Sequence, residues 1–346
     1  MRKSTRIPRM TWLLSTFVFS LLLLGLIPTV PATTSVKSES WREDYRRPES
    51  VPFPSDNPYS KAKADLGRML FFDPILSGSG TRSCASCHNP GLSWGDGMGR
   101  AVGEKVLALR SPTLLNVAWM PVLGWDGKFH DLEAVAFAPI TGPANMNRKE
   151  SDLIAALSAI EGYRRAFGEA FPNGAINRRN IELALATFER TIVSGVAPFD
   201  RWIDGTDDAI DESAKRGFAV FTGKAGCAEC HSGWNFTDGG FYDIGTGQEN
   251  DSGRGRLFPN SEKLRYAFKV PTLRDVERRA PYMHDGSEPT LEAVIDLYDR
   301  GGVDRPSRSE LIKRLDLTEA EKADLVAFLQ TLTGEPMPMT VPALPR

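Results

Sequence analysis

Cys84-Ala85-Ser86-Cys87-His88 and Cys227-Ala228-Glu229-Cys230-His231 decide how this chain folds. Each reads C-x-x-C-H, the attachment pattern of a c-type haem. Two thiols three positions apart reach both vinyl groups of one porphyrin, and the histidine that follows meets the iron from one face. The alternative is a structural zinc site or a disulfide pair. A zinc site built from four cysteines leaves both histidines unexplained, and all 4 cysteines of the chain fall inside the two motifs. Two covalent haem c groups are therefore expected, held by Cys84, Cys87 and His88 and by Cys227, Cys230 and His231. What meets each iron on its second face then decides the function.

Outward from the motifs, 346 residues suffice for two domains of ordinary size. Lys and Arg number 42 against 44 Asp and Glu, a balance that offers no footprint for nucleic acid. Arg2, Lys3, Arg6 and Arg9 precede an apolar run from Trp12 to Ile27, and Val30-Pro31-Ala32 supplies a small residue for cleavage. Residues 1–32 thus read as a secretory signal peptide. The run falls short of the roughly 20 residues of a membrane span, so membrane association requires that the segment be retained. No cysteine lies near it, which excludes a lipoprotein. Export to the periplasm or the surface of a bacterium agrees with haem attachment, which takes place outside the cytoplasmic membrane.

The fold class expected is mainly α, with two duplicated cytochrome c-type domains, each wrapped around one covalent haem. Residues 33–58 read as an extended lead-in, 59–200 as the N-terminal domain with the reactive haem, 201–335 as the C-terminal domain with the electron-transfer haem, and 336–346 as a Pro-rich tail. Helices are expected from Ser60 to Phe71, over 149–161, 178–194, 212–221 and 289–299, and over 318–333 with a Thr318-x-x-Glu321 capping box. Pro198 to Asp211 reads as the connection between domains.

An internal repeat supports duplication. Residues 112–136 and 271–295 align without a gap, and ten of 25 positions are identical, among them Pro-Thr-Leu, Asp-Gly and Leu-Glu-Ala-Val. Continuing the register sets Tyr298 opposite Pro139. If the helix that opens with Leu-Glu-Ala-Val crosses the distal face, a phenol oxygen meets the second iron. The first meets a proline, which cannot ligate. One haem is then closed and the other open to a small ligand such as peroxide. A half-buried tyrosine bonded elsewhere is the alternative for Tyr298.

These residues resemble the bacterial dihaem cytochrome c peroxidases, and within them the MauG-like branch. The likeness runs through Leu66-Gly67-Arg68, Phe71-Phe72-Asp73-Pro74, both haem motifs, Ser111-Pro112-Thr113-Leu114, Trp125-Asp126-Gly127, Val270-Pro271-Thr272-Leu273 and Ala280-Pro281-Tyr282-Met283-His284-Asp285-Gly286-Ser287. The resemblance implies electron transfer between the haems through a tryptophan, at Trp125 here. It implies that Tyr298, inside Tyr298-Asp299-Arg300-Gly301-Gly302, replaces the distal methionine of the ordinary peroxidases; Met283 is the competing ligand. An anionic oxygen ligand favours the ferric and higher states where a thioether favours the ferrous one. No histidine lies between His88 and His130, so none is present to block the first haem.

The departures are as informative. The family's distal glutamine and glutamate fall on Val135 and Asn145, neither of which shuttles a proton at neutral pH. General acid–base help is worth about 10²–10⁴-fold, so another group substitutes (His130, Asp131 and Glu133 are near in sequence) or turnover is slow. The implied calcium ion meets Arg110 where the family has asparagine, with backbone donors at Arg279 and Pro281. Two arginines argue against calcium, and the Arg110 guanidinium is a candidate to replace it. The leading expectation is a periplasmic enzyme using hydrogen peroxide and oxidising a side chain of a partner protein. The alternatives are a cytochrome c peroxidase fed by a small electron-donor protein, and a non-catalytic dihaem electron carrier.

Overall fold

The computed structural model describes residues 40–247, 251–336 and 338–345. The expected signal segment lies outside them, and among the described residues no helix is long and apolar enough to cross a membrane. The chain begins with α1 (Ser40–Tyr45) and continues with α2 (Lys61–Phe72), where the Ser60 hydroxyl accepts from the Lys63 amide at 3.2 Å. Short helices α3 (Leu132–Ala136) and α4 (Ala138–Thr141) follow the first haem motif, then α5 (Glu150–Ala159), α6 (Glu161–Ala170) and α7 (Arg178–Arg190). Leu66, Leu70 and Phe71 of α2 meet Leu153, Phe167, Leu185 and Phe188 in the first core, against which Cys84 packs.

The second half repeats this plan. It comprises α8 (Pro198–Ile203), α9 (Glu212–Thr222), a two-stranded antiparallel pair of β1 (Phe241–Tyr242) and β2 (Phe268–Lys269), α10 (Leu291–Arg300) and α11 (Glu319–Gln330). Phe199, Phe218, Phe221, Phe236 and Phe328 form its core, with Cys227 packed alongside. One glycine sets the main crossing in each half. A Cβ at Gly67 would lie 2.0 Å from the Ala184 carbonyl oxygen, and one at Gly217 1.9 Å from that of Asp324. Only glycine lets α2 approach α7, and α9 approach α11, so closely.

The structure adds to the expectations at three places. Residues 40–58 are not simply extended, because Trp41 and Tyr45 of α1 carry enough apolar surface to pack into the second core. The stretch from Pro198 to Asp211 is no free linker. Pro198 opens α8, the Asp200 carboxylate caps the Ala197 amide at 2.8 Å, and Phe199, Trp202, Ile203 and Ile210 are buried. Helix α6 escaped the periodicity reading, since only Tyr163 and Phe167 of its ten residues are buried. The Pro-rich tail also has a place: Met339 packs against the first core. Helix α1 and Met339 are thus exchanged between the halves.

The repeat is structural as well as sequential. Asn116 and Asp275 both take left-handed backbone before a 3₁₀ turn, Leu123 bridges Phe129 as Tyr282 bridges Glu288, and Asp131 and Thr290 both cap the following helix. All these pairs are related by the offset that separates Pro112 from Pro271. The halves diverge where register sets Pro139 against Tyr298. Proline has no amide hydrogen to give, and α3 ends at Ala136 before α4 restarts around it. In the second half α10 runs unbroken through Tyr298 to Arg300.

Candidate functional site

Both C-x-x-C-H motifs fold the same way. The cysteines open a 3₁₀ turn, and the His88 amide donates to the Cys84 carbonyl at 2.9 Å, as His231 does to Cys227. His88 Nδ1 donates to the Trp94 carbonyl at 3.3 Å, and His231 Nδ1 donates to that of Phe236 at 2.9 Å. A carbonyl only accepts, so the ring proton is held on Nδ1 and Nε2 keeps its lone pair for a metal. Burial pushes both imidazoles toward the neutral form, with the two carbonyls working against it.

No disulfide joins any of the four cysteines. Burial raises each, Cys227 to about 12 and Cys230 to about 11. Among the described residues no three His, Cys, Asp or Glu side chains gather as a metal cluster, which removes the zinc alternative. Paired thiols with one Nε2 acceptor fit a porphyrin attached through thioethers.

The second motif opens on an apolar cavity. Cys227, Cys230, His231, Leu325 and Leu329 line it together with Tyr298. Burial first, then the nearby Cys227 and Cys230 thiols, raise the Tyr298 phenol above its ordinary value. It therefore keeps its proton unless a Lewis acid takes it, and thioether formation removes the thiol contributions. The Tyr298–Gly302 motif has a local explanation. Asp299 Oδ1 accepts from the Leu317 amide at 3.0 Å, Gly301 stops α10 at φ 81°, and a Cβ on Gly302 would lie 2.4 Å from the Ile244 oxygen. Together these fix the last turn of α10, from which Tyr298 projects. Met283 lines the same cavity from a left-handed turn at φ 67°.

Trp125 lies on a loop of the first half and is held by both. Its indole Nε1 donates to the Arg110 carbonyl at 2.9 Å, and its own carbonyl accepts from the Lys269 amide at 2.8 Å. Its ring meets that of His284 with centroids 6.4 Å apart, and His284 stacks on Phe268 and bonds Asp251. The ring lines the second cavity.

The distal residues expected of the first haem lie on α3, α4 and the turn that follows. Val135 faces a small apolar cluster with Val117, Leu123 and Leu132. Pro139 and Asn145 are half-buried, the Pro139 carbonyl accepting from the Met146 amide at 3.1 Å and the Asn145 carbonyl from the Glu104 amide at 2.8 Å. Of the three suggested substitutes, two are committed to other partners. His130 is exposed and precedes α3, Asp131 spends its carboxylate capping Ala134 at 2.6 Å, and Glu133 is buried with Arg190. Sequence reading missed Glu189. It is 7% exposed, its Oε2 has no partner, and its charge acts on the Cys84 thiol. Burial raises its carboxyl to about 8. A glutamate on the apolar face of α7 was the available signal.

The calcium site that the resemblance implies does not fit these residues. Calcium takes 6–8 oxygen ligands. Here the Arg279 carbonyl is already an acceptor for Arg110 Nη2 at 2.9 Å.

Comparison with known proteins agrees with this geometry. The sequence model of the di-haem cytochrome c peroxidases matches residues 61–208, and that of cytochrome c matches residues 214–333. The chain is 53% identical to the methylamine utilization protein MauG of Methylorubrum extorquens over 308 residues, covering 87% of this chain and 86% of the relative. It is 32% identical to the cytochrome c551 peroxidase of Nitrosomonas europaea, covering 85% and 86%. A crystal structure of a MauG-like protein associated with microbial copper homeostasis superposes with a TM-score of 0.78 at 31% identity, covering 84% of this chain and 95% of that one.

Proposed function

We infer, because the chain belongs to the di-haem cytochrome c peroxidase family and to its MauG-like branch, that its two haems are unequal partners in one oxidation. Membership makes it an oxidoreductase that uses peroxide, with two covalent haem c groups. The finer reading is that peroxide is used at an open N-terminal haem and that oxidising equivalents are shared with the C-terminal haem through Trp125. They are then delivered to a side chain of a partner protein in the periplasm.

One observation carries this reading. At the single register position where the repeats differ in course, Pro139 breaks the first helix, whereas α10 continues and brings Tyr298 into the cavity of His231. Bound haem supplies the redox chemistry. The protein orients each imidazole through Nδ1; Tyr298 would offer an oxygen ligand to the second haem, and Pro139, its counterpart, would offer none to the first. An aromatic ring fixed from both halves suits Trp125 to relay an electron. Val135 and Asn145 offer no proton donor or acceptor, which slows simple peroxide turnover and leaves oxidising equivalents available for a slower protein substrate.

The test is the ferric spectrum of the holo-protein. A high-spin haem beside a low-spin one is expected, with a long-lived spectral change on one equivalent of peroxide. Two low-spin haems in the isolated ferric protein would overturn the reading, and rapid turnover with reduced cytochrome c would favour the ordinary peroxidase. Tyr298→Phe must change the low-spin component; if only Met283→Leu does so, the thioether is the ligand.

A further inference from the structure

Two reciprocal hydrogen bonds clasp the repeats together, and each brings a cation with it. The Arg110 amide donates to the His284 carbonyl at 3.0 Å, and the Lys269 amide donates to the Trp125 carbonyl at 2.8 Å. Arg110 and Lys269 are repeat equivalents, each two residues before its Pro-Thr-Leu, and Trp125 and His284 are equivalents as well. The clasp is therefore a local twofold, with the paired rings at its centre.

The side chains at this twofold carry positive charge that no Asp or Glu balances at ion-pair distance, although Asp96 acts on Arg110 from farther off. Arg110 is 9% exposed, and Arg110, Lys269 and Arg279 all line the cavity beside Trp125. Burial pulls Lys269 down to about 8 and Arg279 to about 10, the latter against Asp275 and with Arg110 adding to the fall. Among the described residues none of the three forms an ion pair with Asp or Glu. Unpaired buried charge is costly, so the fold keeps these cations for an anion it does not itself provide. A haem brings two carboxylates on its propionate arms.

The position of Arg110 is specific. Its Nη2 donates to the Arg279 carbonyl oxygen at 2.9 Å, which sets a positive charge where a divalent cation bound to that oxygen would compete with it. A guanidinium is permanently charged and brings five donors, so it satisfies a carbonyl and neighbouring carboxylates at once. We propose that the Arg110 guanidinium, with Lys269 across the local twofold, is the built-in cation of the region between the haems and takes the place of a structural metal ion. The holo-protein then needs no calcium to hold Trp125 and the clasp in position. This rests on the two-haem reading, so haem content is measured on every sample.

Holo-protein with two haems per chain by pyridine haemochrome is passed through gel filtration and analysed for calcium. Metal well below stoichiometric, and a ferric spectrum unmoved by EGTA, are expected. Stoichiometric calcium whose removal by EGTA alters the spectrum would overturn the proposal. Arg110→Asn frees the Arg279 carbonyl and supplies a neutral oxygen. Its bound calcium should rise to about one per chain, with a spectrum that becomes sensitive to EGTA. Arg110→Asn that holds both haems yet takes up no added calcium would show that Arg110 does not stand in a cation position. Arg110→Lys retains the charge and should remain free of metal; calcium in this variant refutes the substitution even where Arg110→Asn is not recovered.

Discussion

Replacing Glu133 with alanine should cost the protein several kcal/mol, although Glu133 touches no haem ligand. Glu133 is 5% exposed and Arg190 6%. Arg190 donates twice to the Glu133 carboxylate, at 2.7 and 2.9 Å, and Asn57 donates a third bond at 2.7 Å. Lys63 closes the network by donating to Asn57 Oδ1 at 2.7 Å. Truncating Glu133 leaves the Arg190 charge buried without a partner, a loss of about 3–5 kcal/mol for such pairs. At roughly 2–4 °C per kcal/mol for a unit of 150–250 residues, the fall in melting temperature is about 6–20 °C. Because Glu133 ties α3 to α7, the same change should loosen the segment carrying Val135 and Pro139.

The pH dependence has a definite sign. Burial works to raise the Glu133 carboxyl, but the bonds from Arg190 and Asn57 and the Arg190 charge outweigh it and hold the group below its ordinary value of 4.5. A lowered carboxyl contributes stability above the unfolded-state value and loses it as pH falls through the folded one. The gap between wild type and Glu133→Ala should therefore be full at pH 7 and close in acid below about 4. Thermal unfolding of the holo-protein followed by circular dichroism at several pH values measures it. A loss under about 1 kcal/mol at pH 7, the range of exposed pairs, would refute the reasoning.

Other consequences can be checked on the same protein. Gly67→Ala forces a Cβ to within 2.0 Å of a backbone oxygen and should destabilise by at least ~1–3 kcal/mol, as should Gly217→Ala; a neutral result in urea denaturation would contradict the crossing described. Glu189, raised from 4.5 to about 8 by burial, contributes stability below pH 4.5 that is lost as pH rises through about 8. Glu189→Gln should therefore gain on wild type by up to ~1.4 kcal/mol for each pH unit crossed in that window, and denaturation midpoints that stay parallel from pH 5 to 8 would exclude a neutral Glu189. Val135→Gln with Asn145→Glu supplies one carboxyl acid–base group and one hydrogen-bonding amide at the positions proposed for the distal pocket, and should accelerate consumption of hydrogen peroxide at least ~10-fold, against the 10²–10⁴ such help is worth. An unchanged rate would place proton transfer elsewhere.

Local chemistry was legible in the sequence. The haem motifs, the Ser60 and Thr318 caps and the divergence of Pro139 from Tyr298 each depend on a few neighbouring residues or on a fixed register. What escaped reading depends on contacts far apart in the chain. Nothing near Trp41 or Tyr45 signals that their partners are Trp202 and Phe218, and a six-residue helix has too little periodicity of its own. Glu133 looked available for proton transfer because Asn57 and Arg190 lie 76 and 57 positions away. The cations at the twofold were equally hidden, since Arg110 was visible only as a departure from a pattern and nothing in the sequence singled out Lys269.

The exchange of chain ends bears on how this protein comes to exist. Arg42 of α1 bonds the Trp202 carbonyl, 160 positions later. Bringing them together closes a long loop, for which each doubling of length adds only about 0.6 kcal/mol of closure entropy. Met339 in turn packs against a core whose buried members run from Leu66 to Ile192. Each half thus draws a piece from the far side of the sequence, and the two pieces act as a pair of stitches. Shortening either end should thus leave a gap in the opposite half, and a half expressed by itself should lack its final piece.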